Sequence, residues 1–228
     1  PPDSSEWAVE AGAERSLRLR VMAGQSPGAD SCGFSLAALS RRSSSTMLVI
    51  DASSALRVPW QGIDGAGACQ LAVGILSAGM SRTTELQDRM GVITASMSGV
   101  QVLQPMTQDR LSLTSIVPAA GSSDTTALLA AIETAFDTLE HYDGIRRLFV
   151  LTAGSTDVSV LTGSPAVGAL ARRAAAVGAR ITALSFGSIA LSDSLISFLD
   201  VSGSERQAPA DPEGLIDLLG DIETRSVD

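Results

Sequence analysis

Three short polar stretches hold the residues of this chain that are equipped for chemistry. They are Asp51-Ala52-Ser53-Ser54-Ala55, Asp124-Thr125-Thr126 and Thr152-Ala153-Gly154-Ser155-Thr156-Asp157. Carboxylates and hydroxyls are hard oxygen donors, suited to Mg2+ or to a polar partner. The first stretch follows Met47-Leu48-Val49-Ile50, an apolar run that reads as a strand buried on both faces of a parallel sheet. In an open α/β sheet, ligands bind in the crevice beyond the carboxyl ends of the strands. Asp51 and Ser53 fall there. The same two residues are also good caps for a turn and a following helix, and the stretch taken alone does not choose between the two roles.

Catalytic constellations are missing from the sequence. The single histidine, His141, follows Leu139-Glu140 and reads as a helix C-terminal cap. No nucleophile elbow, dinucleotide fingerprint or phosphate loop follows a strand. Gly62-Ile63-Asp64-Gly65-Ala66-Gly67 lacks the fingerprint spacing and reads as a flexible loop. Glu133, Asp137 and Glu140 share a helix with apolar partners and read as its solvated face. The expectation is a protein that is not an enzyme.

The elements that must position the three stretches follow from periodicity. After the first strand comes a helix with Ala68, Leu71, Ala72, Ile75 and Leu76 on one face,. Met90–Ala95 and Val100–Leu103 flank Ser98-Gly99, a hairpin signal that adds an antiparallel edge strand. Leu128, Ala131, Ile132, Ala135, Phe136 and Leu139 mark a second helix, and Leu148–Leu151 a second buried strand. A helix through Val167–Ala174, a strand at Ile181–Phe186, and helices at 191–199 and 211–222 complete the order, the last with Pro212 in its first turn,. Strands alternating with helices at this spacing predict a doubly wound, mostly parallel α/β sheet with helices on both faces.

Composition narrows the function classes. The 228 residues carry a net charge of -9, which argues against a nucleic-acid surface, since that needs a basic stripe. Hydrophobic residues make up 45% and aromatic ones 4%, so the core is built from aliphatic side chains. No uninterrupted apolar run approaches the roughly 18 residues of a membrane span. Pro1-Pro2-Asp3-Ser4-Ser5 shows neither an initiating Met nor a signal pattern,, and the sequence is expected to be a processed or excised piece. Residues 1–45, with the period-two segment Leu17-Arg18-Leu19-Arg20-Val21, read as an extension or the tail of a preceding domain, and residues 46–228 as the α/β domain. Cys32 and Cys69 are either two buried thiols or one disulfide. The disulfide is favoured here, and with it an oxidising compartment.

The strand-to-Asp51-Ala-Ser-Ser junction and Phe149-Val-Leu-Thr-Ala-Gly154, with the order of elements from Thr46 to Ile222, resemble the von Willebrand factor A domains, above all bacterial ones of secreted or membrane-anchored proteins. Members of that family place a metal-ion-dependent adhesion site in these three loops. Its motif gives Asp-x-Ser-x-Ser in the first loop, a Thr opening a helix in the second, and Thr-Asp-Gly in the third. The resemblance implies Asp51, Ser53 and Thr126 as metal ligands. It also exposes two departures: Ala55 stands where the family has its second serine, and Ala153 where it has the aspartate. One carboxylate and two hydroxyls imply a vestigial site, with no cofactor or at most weak Mg2+ binding. Asp157 is the nearby carboxylate that could substitute. The implied function is extracytoplasmic protein–protein interaction, by a domain secreted or anchored to the cell envelope. Its contact surface is Ser54, Leu56, Trp60, Asp124, Thr125, Ser155, Thr156 and Asp157. The alternative is a ligand-sensing or solute-binding accessory domain of a larger transport or envelope protein. The partner is another protein, with no nucleic acid, no membrane insertion within these residues, and an adjoining solute-binding or membrane-anchoring segment.

Overall fold

The computed structural model describes residues 43–80, 87–154, 156–157, 167–187 and 191–224. β1 (Ser44–Asp51) runs up the middle of a six-stranded sheet. On one side it pairs in parallel with β4 (Arg89–Ser96), which turns through Met97-Ser98 into the antiparallel edge strand β5 (Gly99–Thr107). On the other side lie β7 (Ile145–Thr152), β9 (Ala179–Ser185) and the short β10 (Glu205–Gln207), all parallel. The order across the sheet is therefore β10-β9-β7-β1-β4-β5. The chain leaves β1 toward β4 and returns to β7, so the strand order reverses between β1 and β7. That reversal opens the crevice in which ligands of open α/β sheets sit.

Period-two alternation within β1 explains the layers. Met47 and Val49 point into one core with α3 (Leu128–Leu139), α4 (Val167–Val177) and α5 (Asp193–Ser202). Leu48 and Ile50 point into the other, with α1 (Gly65–Gly79), α2 (Arg110–Thr114) and α6 (Pro212–Thr224). Every residue of β1 is buried, as expected of a strand covered on both faces. The doubly wound sheet with one antiparallel edge strand stands as the sequence pattern predicts. Among the described residues no helix is long and apolar enough to cross a membrane.

Two expectations need correction. The glycine-rich stretch 62–67 takes up regular structure. Pro59–Trp60 and Ile63–Asp64 form a small antiparallel pair, β2 and β3, turned by Gln61 and Gly62 with φ of 47° and 91°. Asp64 then caps α1 by accepting from the Gly67 amide at 2.7 Å. A side chain at Gly65 would stand 2.9 Å from the Leu56 backbone, so that glycine is there for close packing. The second correction concerns Cys69, which is a free thiol buried on α1 among the aliphatic side chains. Cys32 and the segment Leu17–Val21 lie outside the described residues.

Candidate functional site

Asp51 closes β1 at the crevice and is fully buried. Each of its carboxylate oxygens accepts a hydroxyl from another loop. Thr126 Oγ1 donates to Oδ1 at 2.9 Å and Thr152 Oγ1 donates to Oδ2 at 2.5 Å. The Thr152 oxygen in turn accepts from the Gly154 amide at 2.9 Å. One carboxylate thus joins the ends of β1 and β7 and the entry to α3. Burying a carboxylate is costly unless hydrogen bonds replace its water, and bonds to an ionised group are the strong kind.

The backbone around this centre is fitted closely. β6 (Thr125–Thr126) pairs in parallel with β8 (Thr156–Asp157), which lays the second loop against the third. The Ala52 amide donates to Ala95 O at 2.8 Å, Ser54 N to Ser123 O at 2.8 Å, and Gly121 N to Ala52 O at 3.0 Å. A Cβ at Gly121 would stand 2.4 Å from Ala52 O. Gly154 turns the third loop at φ 98°, a left-handed conformation that glycine adopts without strain.

The three stretches singled out in the sequence do come together. Asp51, Ser53 and Thr126 are all fully buried. Ser53 Oγ donates to Gly154 O at 3.4 Å and makes no cap bond to the short 3-10 helix Ser54–Arg57 that follows. Ser54 is half-buried, with its hydroxyl hydrogen-bonded to the exposed Asp124 carboxylate, and Thr125 is half-buried beside them. These three form the accessible surface above the carboxylate. The backbone of Asp157 lies in register with Thr126, and that of Thr156 with Thr125. Ser155 is outside the described residues.

Leu56 and Trp60 do not belong to that surface. Leu56 is 0% exposed and Trp60 5%. The Trp60 ring packs against Phe186 with centroids 5.3 Å apart. The apolar surface of both side chains is better buried against α1 and the sheet than left in water. Thr152 lies in the third stretch, but the sequence reading gives it no part in the candidate site. Its signal is its place, ending a buried apolar run as Asp51 does.

Among the candidate donors, Asp51 supplies a carboxylate and Ser53 and Thr126 supply hydroxyls. Ala55 and Ala153, both buried, occupy two of the five family donor positions. No group of three or more His, Cys, Asp or Glu side chains able to hold a metal occurs among the described residues. His141 sits elsewhere, its Nδ1 2.7 Å from Asp137 O at the end of α3, in the capping role read from the sequence. Asp137 and Glu140 are exposed and pair with Arg173 of α4.

Residues 46–155 match the model of the von Willebrand factor type A domain. No curated protein matches the chain. Among solved structures, it is similar to a von Willebrand factor type A protein from Catenulispora acidiphila, with 14% identity and a TM-score of 0.63 over 82% of this chain and 43% of that one. An aerotolerance-related membrane protein from Bacteroides fragilis matches with 15% identity and a TM-score of 0.57, covering 79% of this chain and 98% of that one. The pilus adhesin SpaC from Lactobacillus rhamnosus GG matches with 13% identity and a TM-score of 0.55, over 82% and 31%. At these identities the likeness is one of fold. The chain spans less than half the length of the Catenulispora protein.

Proposed function

Because this chain carries a von Willebrand factor type A domain, we propose that it is a protein-interaction module that binds its partner at the loop surface above Asp51 without needing a metal ion. Domains of this family commonly bind other proteins. The observation that carries the metal-free reading is the Asp51 carboxylate. Both its oxygens receive threonine hydroxyls, so hydrogen bonds from the chain itself solvate the buried carboxylate. The proposed contact surface is Ser54, Asp124 and Thr125, to which the sequence reading adds Ser155, Thr156 and Asp157. Recognition rests on hydrogen bonds and shape, not on a partner carboxylate completing a metal shell. A place outside the cytoplasm, on the cell envelope, is part of the proposal. It draws on the likeness to a membrane protein and a pilus adhesin and no longer on a disulfide.

A small-molecule role at this crevice has less support. A cavity of about 340 Å3 lies over the other half of the sheet, lined by Arg147, Phe149, Arg180, Thr182, Ser204 and Glu205 among others, away from the three loops.

Calorimetric titration of chelator-treated protein with Mg2+ and then Mn2+ tests the metal statement, with Asp51→Ala as control. No heat at millimolar metal is expected, and heat that vanishes in the control would overturn it. Capture from an envelope extract tests the surface. Recovery of one partner in chelator as well as in Mg2+, and its loss in Asp124→Arg, is the expected result. Unchanged capture by Asp124→Arg would move the interface elsewhere.

A further inference from the structure

We propose that β5 is a self-association edge, pairing antiparallel with the β5 of a second copy of this chain. Beyond β5 no further strand pairs among the described residues. Open edges are usually blunted by charge or shortness. The opposite edge shows both: β10 has three residues, Glu205-Arg206-Gln207, and Arg206 is paired to Asp200 at 2.5 Å. β5 shows neither in its upper half. It has nine residues, and from Met90 to Gln108 no side chain is charged. In a molecule of net charge -9, a neutral strand is where two copies approach with least repulsion.

The backbone pattern fixes which groups face outward. Ala95 turns its carbonyl to β1, accepting from Ala52 N, so Thr94 and Ser96 face β5. Their partners are Gln101 and Gly99. Val100 and Val102, opposite Ala95 and Ile93, therefore direct N–H and C=O away from the sheet. The two valines are 36% and 49% exposed, and Met97 at the hairpin tip is 69% exposed. A two-fold axis at Gln101 sets Val100 of each copy opposite Val102 of the other. Both outward pairs then exchange backbone hydrogen bonds, valine meets valine, and glutamine meets glutamine. An interface of this kind must be self-complementary, and this segment is. Farther down, Pro105 lacks an N–H and the register with β4 shifts between Met90 and Val92 and again between Val92 and Ile93, which confines the pairing to residues 99–103. So short an overlap buries less than the roughly 1,600 Å2 of a standard stable interface, and the dimer is a reversible one.

The consequence is geometric. β4 points to the loop surface and β5 runs against it, so an antiparallel β5 pair sends the two loop surfaces in opposite directions. On the proposed interaction role, the dimer would bridge two partners; the dimer itself does not depend on that role and is measured with no partner present.

Sedimentation equilibrium of the full chain at rising concentration reads the association. The average mass should climb toward twice the monomer in the wild type and stay at the monomer in Val102→Lys, with unchanged circular dichroism and urea midpoint. Gln101→Cys in a Cys32→Ser background reads the register. Gln101 would face its own copy across a non-hydrogen-bonded pair, where Cα atoms stand about 4.5 Å apart, within disulfide reach. Oxidation should cross-link it, and leave Val102→Cys uncross-linked. A wild type that stays monomeric with Gln101→Cys uncross-linked overturns the proposal, and is the result expected if a strand of another protein or the chain's own N-terminal residues take this edge. A dimer that survives Val102→Lys overturns it as well.

Discussion

Replacing Thr152 by valine keeps the shape of the side chain and removes its hydroxyl, which isolates the bonds that tie the third loop to Asp51. Thr152 is 1% exposed, so water does not readily take the place of the lost oxygen. The substitution deletes a 2.5 Å bond to the Asp51 carboxylate and a 2.9 Å bond from the Gly154 amide. A hydrogen bond to a charged group contributes about 1.5–3 kcal/mol, and a buried amide left without its acceptor costs about 1–3 kcal/mol. Together they predict a loss of about 3–5 kcal/mol, a large share of the roughly 5–15 kcal/mol that holds a domain folded. Urea unfolding reads it directly. With a slope of about 2 kcal/mol per molar, the midpoint should fall by roughly 1.5–2.5 M at unchanged slope. Thr152→Ser, which restores the hydroxyl, should recover most of the loss. In an Asp51→Ala background the same Thr152→Val change should cost about 0.5–3 kcal/mol less, because contacting residues couple by that amount. A midpoint shift below roughly 0.5 M at constant slope, or identical costs in the two backgrounds, would refute the idea that the carboxylate is the staple of this surface.

Trp60→Ala should cost about 3–5 kcal/mol, as buried aromatic deletions do, because the ring is 5% exposed and lies against Phe186. A loss under about 1 kcal/mol by urea unfolding would return Trp60 to the exposed rim. Gly121→Ala forces a Cβ to within 2.4 Å of Ala52 O; overpacking of this kind costs about 1–3 kcal/mol, and a thermal midpoint equal to wild type would contradict it. Burial first, and then the charges of Asp51 and Asp64, hold the Cys69 thiol above its ordinary range. The neutral form is thus favoured in the fold, and its contribution is fully present below the unfolded thiol's pKa, about 8.5. As pH rises beyond that value, stability should fall by about 1.4 kcal/mol per pH unit. The chain contains no lysine, which leaves few other groups titrating there, and Cys69→Ala should flatten the slope between pH 9 and 11 measured by urea unfolding.

Much of this architecture is written in local pattern. Met47 and Val49 against Leu48 and Ile50 set the two faces of the central strand, and Leu128 through Leu139 set a helix, because side-chain direction depends on the spacing along one element. The departures from the family motif are equally local: Ala55 and Ala153 have no side-chain oxygen wherever they are placed. What the sequence could not decide were relations between distant residues. Leu56 and Trp60 look like rim residues in a polar loop, yet α1 and the sheet bury them. Thr152 gains its role only when the fold sets it beside Asp51, 101 residues away, as Thr126 does from 75 residues away. The same holds for β5, whose uncharged run reads as an ordinary strand until the sheet order leaves it at an edge. Periodicity and side-chain composition belong to single segments and survive in the sequence. Burial of a ring, the partner of a carboxylate and the openness of a strand depend on what the rest of the chain places against them, and those were decided by the tertiary structure.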